Sequence, residues 1–301
     1  MSTHTVLPAR LTLPEIAARK ASAGRGAPLA MITAYDIVSA RLADRAGADI
    51  LLVGDSLGMV VLGREHTLGV TVDEIVHHAR AVAAARPRAV IVGDMPFLSY
   101  HVSIPEAIRN AGRLLSEGGC QAVKLEGGRR CLRTIEHLLA ADIPVMGHLG
   151  LTPQSLHRMG GFRVQAREPE GAAAILDDAR LLAEAGVFAI VLEGIPAEVA
   201  QIITESISVP TIGIGAGPHC DGQVLVWHDL LGLTERLRPK FVRQYADLGG
   251  VIVEALARFV GDVRTGAFPS AEESYHVAAD VVTAVRERRP PPGPPQEKEL
   301  P

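Results

Sequence analysis

Cysteine is scarce in this chain: Cys120, Cys131 and Cys220 are odd in number and form no C-x-x-C pair. Neither a disulfide framework nor a zinc knuckle is indicated, and a reducing compartment is expected. Basic charge is not in excess either, since 30 Lys plus Arg stand against 34 Asp plus Glu, a formal net charge of -4. A protein that tracks a phosphate backbone needs a basic stripe, so nucleic acid is not an expected partner. Long apolar runs are missing as well. Residues 1–10 lack the apolar stretch of a signal peptide, and no run reaches the ~18 apolar residues needed to cross a bilayer. The expectation is a soluble cytoplasmic protein with no membrane partner.

What remains is ample material for a core. The 301 residues are 48% apolar, enough for one large α/β barrel or two ordinary domains. Across residues 29–228, short β-branched runs alternate with longer Ala/Leu/Glu/Arg-rich amphipathic stretches, the pattern of successive βαβ units. Strands are predicted to begin near Leu29, Asp49, Ala89, Gln121, Ile143, Phe188, Pro210 and Val224. Eight parallel strands close a (β/α)8 TIM barrel. Helices are predicted over 38–46, 72–85, 105–117, 129–141, 171–185 and 198–206, several opening with Pro or an acidic residue. The run 11–21 reads as a helix capping the barrel floor, and 239–248 and 250–265 as extra C-terminal helices. The expected division is an N-terminal segment, 1–28; a catalytic barrel with C-terminal helices, 29–266; and a C-terminal extension, 267–301. In that extension the Pro-rich stretch 290–295 is expected to be disordered.

Two connections, 56–71 and 149–169, are too long to be turns, and loops of that length in compact domains usually cover binding sites. The second carries Arg158, Arg163 and Arg167.

Five of the apolar runs end on a side chain that can hold a metal or move a proton: Asp55, Asp94, Glu126, His148 and Glu193. In a parallel barrel those C-terminal strand ends share the face on which active sites are built. Neighbouring strands lie about 4.8 Å apart, so Asp55, Asp94 and Glu126 can converge on one cation, and all-oxygen donors favour Mg²⁺ or Mn²⁺. Any one of these acids alone can instead cap a helix or pair with a surface base. Lys124 and Glu126 share a strand face; the lysine can neutralise a substrate carboxylate or pair with one of the acids. Ser56 can donate to the same substrate anion or merely shape a turn. Glu193, away from the three acids, is placed to act as a general base across the substrate, or to receive a loop arginine. His148 can bind substrate or orient a metal-bound water, and equally can sit behind the site. The pair His77-His78 falls on a helix and is expected at the solvated surface. The Gly-rich run 212–217 can cradle phosphate or allow close backbone packing.

These segments also occur in a recognisable order: Thr33-Ala34-Tyr35-Asp36, Val53-Gly54-Asp55-Ser56-Leu57-Gly58, Gly93-Asp94-Met95-Pro96-Phe97, Val123-Lys124-Leu125-Glu126-Gly127-Gly128, Gly147-His148-Leu149-Gly150-Leu151-Thr152-Pro153-Gln154, Val191-Leu192-Glu193 and 212–217. The set resembles the ketopantoate hydroxymethyltransferase (3-methyl-2-oxobutanoate hydroxymethyltransferase) family over roughly residues 29–266. The resemblance implies a barrel of the phosphoenolpyruvate/pyruvate superfamily, one Mg²⁺ per subunit, and a homo-oligomer, commonly a decamer built from pentameric rings. It implies transfer of a hydroxymethyl group from 5,10-methylenetetrahydrofolate to 2-oxoisovalerate, giving 2-dehydropantoate in pantothenate biosynthesis. It assigns Asp55, Asp94 and Glu126 to the metal, Asp55, Ser56, Asp94 and Lys124 to the substrate, and Glu193 to proton removal. Gly69 and Gly194 depart from residues common in the family, which bears on loop stiffness. Two other readings stay open: a Mg²⁺-dependent 2-oxo-acid lyase or mutase on the same barrel, and a non-catalytic oligomeric metabolite-binding scaffold.

Overall fold

The computed structural model describes residues 9–20, 27–234 and 239–288; the Pro-rich stretch 290–295 lies outside them. Eight short strands, β1 (Leu29–Thr33), β2 (Ile50–Val53), β3 (Val90–Asp94), β4 (Ala122–Glu126), β5 (Val145–Gly150), β6 (Ala189–Glu193), β7 (Thr211–Ile214) and β8 (Gly222–Leu225), pair in sequence order. All pairings are parallel, and β8 closes on β1. The pleat sorts side chains into two layers. Alternate residues such as Met31, Ile50, Val92, Met146, Val191 and Ile212 fill the barrel interior, while Leu51, Ile91, Val123, Leu125, Ile190 and Leu192 pack against the helical jacket.

The floor is closed by the short helix Leu13–Ala17, which starts with a reciprocal Thr12–Glu15 capping box and places Ile16, 1% exposed, in the interior cluster. It is shorter than the predicted 11–21. The jacket helices Ile37–Arg45, Val72–Ala83, Ile104–Ser116, Leu132–Ala140, Pro169–Ala185 and Ala197–Ser206 lie where the periodicity puts them. The predicted helix over 239–248 is absent. Its backbone is tied elsewhere: Tyr245 N–H donates to Leu230 O at 2.9 Å, and the Phe241 ring packs on Gly215, where a Cβ would lie 2.8 Å from Phe241 Cδ1.

The chain divides into two compact units, Met1–Asp247 and Leu248–Pro301. The second contains the helices Leu248–Thr265 and Ala279–Arg286. In the first, both long connections carry short helical turns, and they meet: the rings of His66 and His157 stack edge-on with centroids 6.1 Å apart.

Candidate active site

Strand register brings the predicted residues together. Asp94 pairs with Lys124 across β3–β4, Glu126 with His148 across β4–β5, and Gly150 with Glu193 across β5–β6. Each polar residue lies two positions beyond an interior apolar residue (Val92, Ala122, Met146, Val191), so Asp94, Lys124, His148 and Glu193 point into the same rim, with Glu126 two beyond Lys124. Asp55 follows β2, and its N–H donates to Asp94 Oδ2 at 3.0 Å. Gly54 makes that approach possible, because a Cβ there would lie 2.8 Å from Ser56 Oγ and 3.3 Å from Asp94 Oδ2.

Asp55, Asp94, Lys124, Glu126 and His148 are all buried. The Lys124 ammonium sits 2.7 Å from Asp94 Oδ1 and 3.4 Å from His148 Nδ1. Burial alone would strip its proton, but the charges of Asp94, Glu126 and Asp55 outweigh that and raise its pKa. The His148 ring lies between two acids, Nδ1 at 3.5 Å from Glu126 Oε1 and Nε2 at 3.2 Å from Glu193 Oε2. Burial and then Lys124 pull its pKa down, yet the two carboxylates carry it up to about 9. Asp55 is pushed well above the usual carboxylate range, first by burial and then by the charges of Asp94 and Glu126. Asp94 is raised by burial, with Lys124 opposing.

Sequence reasoning passed over two residues that organise this cluster. Gln154 donates its backbone N–H to Glu126 Oε2 and its side-chain amide to Asp55 Oδ2, both at 2.9 Å. The Tyr100 hydroxyl is 2.7 Å from Gln154 Oε1 and accepts from the Glu126 N–H at 3.2 Å. Gln154 closes the Gly147-to-Gln154 motif, which was the available signal; Tyr100 had none. Tyr35, buried after β1, is a third: its hydroxyl is 2.9 Å from Ser56 Oγ, and Ser56 spends no side-chain bond on capping the turn Leu57–Val60 that it opens. His78 corrects an expectation. His77 is exposed, but His78 is half-buried and its Nδ1 lies 2.6 Å from Tyr35 O, bracing that residue.

The Gly-rich run behaves as a packing element. A Cβ on Gly217, whose φ is +78°, would lie 2.3 Å from Ala197 Cβ, and Gly215 faces Phe241.

The donor chemistry at the rim fits a hard divalent cation. Three buried carboxylates face one ammonium, and Asp55 is charged only at a cost that a nearby cation would relieve. Asp94 Oδ1 and His148 Nε2 are buried without a well-directed hydrogen bond. Among the described residues, no three His, Cys, Asp or Glu side chains enclose an ion by themselves. Mg²⁺ suits such a rim because it keeps several waters and takes only one or two carboxylates directly.

The barrel is similar to solved structures at low identity. Phosphoenolpyruvate phosphomutase from Streptomyces platensis subsp. rosaceus matches with TM-score 0.54 and 16% identity over 87% of this chain and 91% of that one. A phosphonopyruvate hydrolase in complex with oxalate and Mg²⁺ matches with TM-score 0.53 and 13% identity, over 86% and 90%. Sequence relatives are far nearer. The 3-methyl-2-oxobutanoate hydroxymethyltransferase of Moorella thermoacetica is 58% identical over 266 residues, 88% of this chain and 98% of that protein. The same-named protein of Pelobacter propionicus is 56% identical over 267 residues, 89% and 98%. The ketopantoate hydroxymethyltransferase family profile matches residues 10–271. Identity above one half across nearly the full length of these relatives, on a barrel whose rim carries the ordered acids, places this chain in the ketopantoate hydroxymethyltransferase family.

Proposed function

We propose that this protein transfers a hydroxymethyl group from 5,10-methylenetetrahydrofolate to 3-methyl-2-oxobutanoate, giving 2-dehydropantoate for pantothenate biosynthesis. The observation that carries the reading is the placement of Glu193 across the His148 ring from a buried group of three acids and one lysine. Glu193, with its side chain 17% exposed, is the most open of the rim carboxylates and so the one a substrate proton can reach. It takes the C3 proton of the oxo acid as general base. Lys124, held charged, and the Ser56 hydroxyl orient the substrate's carboxylate and keto oxygens. His148, its Nε2 3.2 Å from Glu193 Oε2, holds that carboxylate pointed at the substrate. Asp55, Asp94 and Glu126 hold Mg²⁺, one per subunit, directly or through water; when bound, it supplies Lewis-acid stabilisation of the charge that develops on the keto oxygen. The C3 carbanion equivalent then forms the new carbon–carbon bond to the donor's one-carbon unit, water supplies the hydroxyl, and tetrahydrofolate leaves.

The same reading makes the protein a cytoplasmic homo-oligomer, a decamer of two pentameric rings. Helix Leu248–Thr265 exposes Val251, Leu256, Phe259 and Val263, more apolar surface than a lone chain in water favours. On the barrel, the outward residues Ala30 of β1 and Gln223 of β8 are likewise exposed. Among the described residues no helix is long and apolar enough to cross a membrane.

The test is direct. Purified protein given Mg²⁺, 3-methyl-2-oxobutanoate and the folate donor should form 2-dehydropantoate, detected by mass spectrometry. Cleavage or rearrangement of 2-oxo acids without use of the donor would favour a lyase or mutase instead. Native mass spectrometry reads the subunit number.

A further inference from the structure

Gln154 sits in the 3-10 turn Pro153–Ser155 that follows β5, is 7% exposed, and has its amide orientation dictated by its neighbours. The Glu126 N–H is only a donor, so the Tyr100 oxygen accepts it, and Tyr100 gives its own proton to its shortest acceptor, Gln154 Oε1 at 2.7 Å. The amide nitrogen is thereby turned the other way, where its two protons go to Asp55 Oδ2 at 2.9 Å and Met95 O at 3.0 Å. The backbone N–H of the same residue takes Glu126 Oε2 at 2.9 Å. One residue from the β5 loop therefore holds one oxygen of each of two acids that come from β2 and β4. The other oxygen of each, Asp55 Oδ1 and Glu126 Oε1, is left unspent by Gln154.

We propose that Gln154 is the positioning residue of the cation site: it fixes which oxygens of Asp55 and Glu126 face the ion, and it ties the seating of the loop over 152–159 to ion binding. The inference rests on the metal role given above to Asp55 and Glu126. Groups that orient ligating side chains commonly matter about 10- to 100-fold in metal affinity. Because coupling is reciprocal, a loop that orders the acids must in turn be ordered by the ion.

The experiment titrates Mg²⁺ alone, by calorimetry, into the full chain and into Gln154→Leu and Tyr100→Phe, with Mg²⁺-free unfolding midpoints and amide exchange of residues 152–159 measured alongside. The proposal expects Mg²⁺ to slow exchange over 152–159 in the unaltered protein. Gln154→Leu should bind Mg²⁺ about 10-fold more weakly or worse and lose that protection. Tyr100→Phe, which frees the amide without removing it, should weaken binding in the same direction and by less; if Gln154→Leu does not fold, this variant decides. Unchanged Mg²⁺ affinity in a folded variant, whatever its loss of Mg²⁺-free stability, overturns the proposal. Failure of the unaltered protein to bind Mg²⁺ overturns the metal assignment of Asp55 and Glu126, and the proposal with it.

Discussion

The Nε2 nitrogen of His148 lies 3.2 Å from Glu193 Oε2, so one buried imidazole stands between Glu193, the proposed base, and Glu126, which is 3.5 Å from the other ring nitrogen. Two carboxylates this close would repel if nothing positive lay between them. The shared ring, whose pKa the two carboxylates raise to about 9, sets positive charge between them, and the proposed function gives the two acids different tasks.

That division predicts distinct lesions. Glu126→Gln should weaken Mg²⁺ binding about tenfold or more. Glu193→Gln should leave Mg²⁺ affinity close to that of the unaltered protein while slowing C3 proton removal by roughly 10²–10⁴-fold. Calorimetry and single-turnover kinetics on the two variants read the two quantities separately; equal loss of metal affinity in both would contradict the assignment.

Lys124 and Asp94 form a buried ion pair at 2.7 Å, with side-chain exposures of 5% and 4%. Lys124→Met strands a carboxylate in the barrel and should cost about 3–5 kcal/mol in urea unfolding. Adding Asp94→Leu removes the stranded charge and should recover most of that stability. It should recover none of the activity, since the proposed function needs Lys124 at the substrate and Asp94 at the cation. Recovery of turnover in the double variant would make the pair structural only.

Tyr35 holds Ser56, the proposed substrate contact, through a hydroxyl 2.9 Å from Ser56 Oγ. Removing its hydroxyl in Tyr35→Phe deletes one neutral hydrogen bond, worth about 0.5–1.5 kcal/mol, or roughly 2- to 12-fold. The expected effect is a rise of that size in KM for the 2-oxo acid, with KM for the folate donor unmoved. A drop in kcat alone would place the hydroxyl in the chemistry rather than in binding.

The loop between β2 and the helix Val72–Ala83 is pinned by Glu74, which bonds Arg64 at 3.0 Å and closes a capping box with Thr71. The Arg64 hydrogen bond leads in lowering its pKa from 4.5 to about 2. A carboxyl held lower in the folded state contributes stability that is present above pH 4.5 and lost as pH falls toward 2. Thermal melts across that window should therefore fall less steeply for Glu74→Gln than for the unaltered protein.

The barrel was legible because parallel strands buried on both faces read as unbroken β-branched runs, and a polar residue ending such a run has only the rim to occupy. Val90-Ile91-Val92-Gly93-Asp94 is of this kind; in Ala122-Val123-Lys124-Leu125-Glu126 the run is broken by Lys124, and the pleat gives the directions of both strands' polar residues without further information. Gln154 and Tyr100 were not legible in role. Each reaches the site from a loop that folds back on a distant strand, a relation of 99 residues between Gln154 and Asp55 that no local period encodes. Residues 239–247 failed for a related reason: a helical composition was overridden by the backbone bond from Tyr245 to Leu230 and by the seat of Phe241 on Gly215. His78 looked like surface because helix periodicity cannot see the Tyr35 carbonyl that comes to meet it.

In the proposed function a carboxylate base, aided by a cation held among buried acids, removes the C3 proton of the 2-oxo acid. Exchange of that proton for deuterium, followed by NMR on 3-methyl-2-oxobutanoate without any folate, tests it most directly. Exchange should require Mg²⁺ and be nearly abolished in Glu193→Gln although that variant still binds the ion. Exchange that proceeds at full rate without Mg²⁺, or undiminished in Glu193→Gln, would contradict it.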